Sequence, residues 1–199
     1  MQNRALESYT ILNDFVKSLD KLMTVLKIVK MGDPALAVKS LPVTHFNDEQ
    51  LQNQIADMID TMRHYQGVGL AAPQIGLSQQ IIVLEVAQNA RYPQADAIDL
   101  DVLINPRIID YSKQTEAGWE GCLSLPGLRG HVTRSNRITY QALNRIGEPV
   151  TQIVSGFHAR IIQHEIDHLN GILYPQRLDD LLEFGFEDSL PAFSRQTLL

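Results

Sequence analysis

Residues 156–171 read GFHARIIQHEIDHLNG, and the reading of this stretch decides the fold. Glycine stands at each end and nothing between them breaks a helix, so a helix is predicted from after Gly156 through His168 to Gly171, with Pro175 confirming the stop. Inside it lies His164-Glu165-Ile166-Asp167-His168, an H-E-x-x-H pattern. Residues four apart on a helix differ by ~40° in azimuth and ~6 Å in rise, so both imidazoles reach one metal ion. A carboxylate beside that ion can take the proton of a coordinated water, which is why this spacing recurs in metal-dependent hydrolases. The bland alternative, a surface helix with accidental histidines, requires a coincidence met in roughly one such chain in a hundred.

Outward from this helix the pattern changes period several times. Leu51, Ile55, Met58, Ile59 and Met62 fall on one helical face, and Asn47 with Gln50 resembles a capping box, which predicts an amphipathic helix over 48–64. Residues 67–76 hold three glycines and Pro73, so they are loop or extended. Strands are predicted at 80–86, 102–109, 138–144 and 150–154, with a hairpin connection over 144–149. The polar residues 88–101 read as a surface loop, and residues 178–184 as a short helical piece. Residues 1–22 lack the basic start, apolar stretch and cleavage site of a secretory signal, and Glu7, Asp14 and Asp20 argue against a transit peptide. They read as an N-terminal extension. Met23 opens an alternating run to Lys30 that suits a short strand and equally a translation start, so residues 23–199 are expected to form a single catalytic domain. Strands and helices do not alternate regularly, which favours an α+β fold, antiparallel sheets packed around a central metal-binding helix, over a doubly wound parallel sheet.

The chain has 199 residues, 44% of them apolar and 20% charged, the composition of one globular domain rather than of a disordered or fibrous protein. Seventeen basic residues against 23 acidic ones, a net charge of −6, give no general reason to bind nucleic acid or anionic lipid. No apolar run approaches the ~20 residues of a membrane helix. A single cysteine, Cys122, excludes an intramolecular disulfide and favours a reducing compartment.

A catalytic metal needs a third protein ligand and one position left for water. Where H-E-x-x-H-x-x-G-x-x-H enzymes carry their last histidine this chain has Tyr174, so that template fails. Glu187 is a weak candidate in the manner of thermolysin-like enzymes. Cys122, in Glu120-Gly121-Cys122-Leu123-Ser124, offers a thiolate that suits such metals, against the alternative of a small buried hydrophobe. A third segment, Gly67-Val-Gly-Leu-Ala-Ala72, matches the dinucleotide fingerprint, but it follows a helix and precedes Pro73, the wrong context. Its glycines suit a ligand lying against exposed backbone, with the Gln74 amide placed to polarise a carbonyl.

These three segments together resemble the peptide deformylases, whose motifs G-φ-G-φ-A-A-x-Q, E-G-C-φ-S and H-E-φ-D-H (φ apolar) stand complete at 67–74, 120–124 and 164–168. The resemblance runs from about Met23 to Tyr174 and includes Pro126, Arg129 and Gln163. It implies that Cys122, His164 and His168 bind the metal, Fe2+ natively, with Zn2+, Ni2+ or Co2+ in other preparations. It implies Glu165 as general acid/base, the Gln74 amide and the Leu123 N–H as oxyanion donors, and Gly69 and Arg129 as substrate-binding residues. The reaction so implied is hydrolysis of the formyl group from N-formylmethionyl nascent peptides, in the cytoplasm, with the ribosome as an associated partner and no membrane or direct nucleic-acid contact. A general zinc peptidase and a noncatalytic metal-binding module are the competing readings. Arg160, beside the expected methionine pocket, needs an outward pose or a partner, and Asp167 is read as a support for a ligating histidine or as a plain salt bridge.

Overall fold

The computed structural model describes residues 24–46, 48–87 and 96–190. The expected extension, Asn47 of the expected capping box and the first part of the expected 88–101 loop lie outside them. Two α-helices are found among the described residues, α1 (Glu49–His64) and α2 (Gly156–Leu169). The strands are β1 (Gly69–Ala71), β2 (Ile81–Val86), β3 (Ile98–Tyr111), β4 (Thr115–Cys122), β5 (Leu125–Ser135), β6 (Arg137–Leu143), β7 (Pro149–Ser155) and β8 (Phe184–Phe186). They form a five-stranded sheet in the order β1-β2-β3-β6-β7 and a three-stranded sheet in the order β4-β5-β8. Every pairing between these strands is antiparallel, so the α+β expectation holds.

Strand β2 shows how the core divides. Successive side chains on a strand face opposite ways, so Ile82, Leu84 and Val86 join Ala159, Ile162, Ile166 and Leu169 of α2, while Ile81 and Val83 join Leu51, Ile55, Met58 and Met62 of α1. The large sheet is thus covered by a helix on each face. Asp48 caps α1 through a hydrogen bond that its carboxylate accepts from Gln50 N. Helix α2 then reaches the small sheet through polar contacts: Gln163 bonds Ser135, Asp167 bonds Arg134, and His164 bonds Glu120. It therefore stands between the two sheets.

Four expectations change. Thr24–Lys30 is not a strand, because its N–H groups are spent singly on separate partners, Leu26 on Thr61 Oγ1 and Val29 on Gln74 O. Ile98 to Asp101 leave the expected loop and open β3, paired with Val86 and Leu84. Strands β4 and β5 were not expected at all; glycines and charges hide their alternation, and they form because residues from Thr115 to Glu120 pair in register with those from Ser135 to Gly130. The expected helical piece at 178–184 shrinks to a 3₁₀ turn over Leu181–Glu183, after which β8 pairs with Leu128–Gly130.

Candidate metal centre

Three walls meet where α2 faces the small sheet. The first is β1 and the 3₁₀ turn after it, Ala72–Ile75. Gln74 sits on that turn, fully buried, and its Oε1 accepts from Ala71 N at 2.8 Å, which fixes the amide plane. Its Nε2 is thereby aimed at Cys122 Sγ, 3.3 Å away, and at Ser124 Oγ, 3.4 Å away. The second wall is the β4–β5 turn. Cys122 ends β4, Leu123 and Ser124 make the turn, and Ser124 N donates to Cys122 Sγ at 3.4 Å. The third wall is α2, with His164, Glu165 and His168 all buried.

Cys122, His164 and His168 each offer one ligand atom, and these atoms lie within 4.8 Å of one another. Cys122 Sγ and His168 Nε2 are 3.2 Å apart. Bonds of metal–sulfur and metal–nitrogen length set at tetrahedral angles put such atoms about 3.5 Å apart, so the set has the scale of a metal site. A thiolate and two imidazoles are also the donors that transition metals of this class take. His164 sits between Cys122 and Glu120: burial acts to lower its pKa, but these two contacts outweigh burial and hold it well above the ordinary value. A place that grips a proton this way has an electrostatic demand for positive charge, which a cation meets. His168 goes the other way, lowered by burial and by the neighbouring His164.

Behind the ligands runs a chain of buried ion pairs. Glu120 Oε2 accepts from His164 Nδ1 at 2.9 Å. The same carboxylate takes a forked pair of bonds from Arg134, 2.9 Å each, and one from Arg160 at 3.0 Å. Burial works to raise Glu120, yet the bonds from Arg134 and His164 prevail and keep it ionised. An ionised acceptor fixes the proton of His164 on Nδ1 and turns Nε2 toward the cluster. Arg134 also bonds Asp167 at 2.6 Å, and Asp167 takes a second pair of bonds from Arg177. Asp167 is thus a salt-bridge partner that reaches His164 only through Arg134 and Glu120.

Glu165 differs from every other acid here. It is 5% exposed, its Oε2 has no hydrogen-bond partner among the described residues, and burial pushes its pKa up to about 7. Its carboxyl group lies against Gly69, where a Cβ would come within 2.4 Å of Oε1. A glycine at 69 is therefore the space that Glu165 occupies.

A cavity of about 70 Å³ joins these parts. Gly69, Gln74, Cys122, Leu123, His164 and Glu165 line it together with Val68, Trp119, Phe157, Ile161 and Arg160. A second hollow shares Cys122 and Leu123 and holds Arg129, whose Nη2 pairs with Glu187 at 2.9 Å. Of the residues to which the resemblance gives a metal-binding, catalytic or substrate-binding role, all but His168 and Arg129 line the first cavity, and His168 completes the cluster beside it. Glu187 stands against Arg129, which removes it as a ligand candidate. Tyr174 stacks on the His164 ring, centroids 6.1 Å apart, and is packing rather than ligand. The roles of Glu120 and Arg134 were not foreseen. The signal was present, since a ligating histidine wants an acceptor on its other nitrogen, but spacing did not say which carboxylate supplies it.

Comparison with known proteins places this arrangement. The polypeptide deformylase family matches residues 25–183. Peptide deformylase 1 of Nitrosomonas europaea is 47% identical over 171 residues, covering 86% of this chain and 96% of that protein. Among solved structures, a class I type b peptide deformylase from Acinetobacter baumannii bound to Met-Ala-Ser superposes with a TM-score of 0.77 at 39% identity, covering 79% of this chain and all of that one. The peptide deformylase of Thermotoga maritima gives 0.71 at 42% identity, covering 78% and 99%.

Proposed function

The chain belongs to the polypeptide deformylase family, and we propose that Cys122, His164 and His168 hold its metal ion, Fe2+ in the cell, while Glu165 moves the proton. The enzyme removes the N-formyl group from the N-terminal methionine of new proteins. A water adds to the formyl carbon, the C–N bond breaks, and formate and a free amine leave.

The observation that carries the site assignment is a contrast at one place in the fold. Three ligand atoms from two distant segments converge, and beside them stands one buried carboxyl group with an unpartnered oxygen. When bound, the ion supplies Lewis acidity, acidifying water and polarising the formyl oxygen. The chain's own residues do the rest. Glu165 takes the proton of the attacking water and delivers it to the departing amine, for which burial has tuned its affinity upward. Gln74 Nε2, with its plane fixed by Ala71, donates to the oxyanion as it forms, and the Leu123 N–H on the turn donates beside it. Gly69 lends its backbone to the peptide, and the wall made by Val68, Trp119, Phe157 and Ile161 takes the methionine side chain. Arg129 holds the peptide beyond that residue in the second hollow. Three protein ligands, the number found among the described residues, would leave a bound ion a position for water, which favours catalysis over a closed structural site. The substrate, a nascent chain, puts the enzyme in the cytoplasm and near the ribosome; among the described residues no helix is long and apolar enough to cross a membrane.

The test couples metal content to formate release from an N-formylmethionyl peptide, in protein prepared with and without oxygen. The anaerobic protein should carry iron and be the more active, and replacing iron by nickel should protect activity in air. Indifference to oxygen, with no protection by nickel, would remove iron in favour of zinc. Cleavage of internal peptide bonds without formate release would instead revive the general peptidase.

A further inference from the structure

One turn before His164, Arg160 carries a guanidinium that none of these steps uses. Its side chain is 11% exposed. Nη1 donates to Val132 O at 2.8 Å and Gly118 O at 3.3 Å and pairs with Glu120 Oε1 at 3.0 Å, while Nη2 donates to Glu116 O at 2.7 Å. The group fits because position 118 has no side chain, since a Cβ there would lie 3.0 Å from Nη2 and 3.1 Å from Cζ. Its position is therefore fixed by three backbone carbonyls and a carboxylate. Every hydrogen bond of the guanidinium to a described residue runs from Nη1 or Nη2 and none from Nε–H, and the residue lines the cavity where Val68, Trp119, Phe157 and Ile161 make an apolar stretch of wall beside the ligand cluster and Glu165.

We propose that Arg160 is a specificity-determining residue: it presents a hydrogen-bond donor to the first side chain of the substrate and so favours side chains that carry an acceptor over hydrocarbons of equal length. The inference rests on the reading above that this cavity takes the methionine side chain. An apolar pocket alone separates a thioether from a methylene poorly. A donor already immobilised in the wall changes this, because a hydrocarbon laid over it leaves the N–H dry and unpaired. Thioether sulfur is a weak acceptor, so methionine gains modestly over norleucine; a sulfoxide oxygen is a strong one. The structure thus assigns a second substrate class to the site, N-formyl peptides whose methionine has been oxidised to the sulfoxide.

The experiment compares kcat/KM for three peptides that differ only in the first residue: N-formylmethionine, N-formylnorleucine and N-formylmethionine sulfoxide. The enzyme should prefer methionine to norleucine by about tenfold, the scale of one modest hydrogen bond, and should turn over the sulfoxide faster than norleucine. In Arg160→Met both preferences should collapse toward equality, and Arg160→Lys, which keeps a donor, should hold part of them. A merely structural arginine would lower all three rates by one factor and leave the ratios alone, so unchanged ratios in a folded variant overturn the proposal. If Arg160→Met does not fold, the wild-type ratios decide: norleucine used as well as methionine, with the sulfoxide refused, overturns it equally. Formate release from N-formylmethionine with equal ratios sinks this inference alone, whereas no formate release at all takes the deformylase reading down with it.

Discussion

Helices α1 and α2 cover opposite faces of one sheet and bury themselves by different physics. α1 is amphipathic: Leu51, Ile55, Met58, Ile59 and Met62 go inward and the polar face looks out. In α2 every residue from Ala159 to Leu169 is buried, yet Arg160, Gln163, His164, Glu165, Asp167 and His168 are polar. A helix buried all round is ordinarily apolar all round. α2 escapes that rule by giving its charges partners, Glu120 to Arg160 and His164, Arg134 to Asp167, Ser135 to Gln163. Among the described residues it leaves three buried atoms without a partner: His158 Nε2 near its start, and Glu165 Oε2 and His168 Nδ1, whose residues stand in the ligand cluster or beside it. Incomplete bonding in a buried place marks a site with work to do.

If α2 is a functional helix and α1 a structural one, substitutions in them should separate activity from stability. The largest effect is expected at Glu165→Ala: formate release falls by about 10²–10⁴-fold with metal retained, since the ligands stay and only the proton carrier goes. Metal analysis beside the kinetic assay checks it, and near-normal turnover would break the assignment. Cys122→Ala should lose metal and activity together. Next comes Arg134→Met, which leaves the buried carboxylate of Glu120 to Arg160 and His164 and that of Asp167 to Arg177 and should cost about 3 kcal/mol of stability by denaturant titration, with weaker metal retention. Met58→Ala in α1 should cost about 2–5 kcal/mol and leave kcat/KM unchanged well below its lowered Tm. A drop in kcat/KM there would erase the contrast between the helices.

The ion network should also show itself in acid. Glu120 is held below its ordinary value of 4.5, so it stabilises the fold above that pH, and the contribution is lost as pH falls from 4.5 toward the folded value. Tm should therefore fall more steeply between pH 6 and pH 3, to about the same ionic strength throughout, in the wild type than in Glu120→Gln. The smallest effect is expected from removing residues 1–22, proposed as an extension outside the catalytic domain, with kcat/KM little changed.

Helix α1 and strands β2 and β6 were legible because each buries a regular apolar set; α2 was legible from its histidine spacing, and β3 and β7 from their apolar β-branched residues, although β7 buries Val154 alone. β4 and β5 were not, since Gly118, Gly121, Gly127 and Gly130 and the charges at Glu116, Glu120, Arg129 and Arg134 leave no alternation to read. Their pairing is a tertiary fact. The same division runs through the site. His164, Glu165 and His168 are announced by helical spacing, and Cys122 and Gln74 by motif. Arg160 could not be placed from sequence, because three of its four acceptors are backbone carbonyls, and a carbonyl carries no residue identity.

Cys122 and His168 stand 46 residues apart in the chain, with β5, β6, β7 and most of α2 between them. Synthesis runs from the N-terminus, so at ordinary elongation rates the thiol is made roughly 2–9 s before its last imidazole partner exists. Over that interval it is a lone sulfur on an unfinished chain. An ion held by both of the proposed ligands can therefore be closed in only after residue 168 is made, when every strand but β8 already exists in the chain.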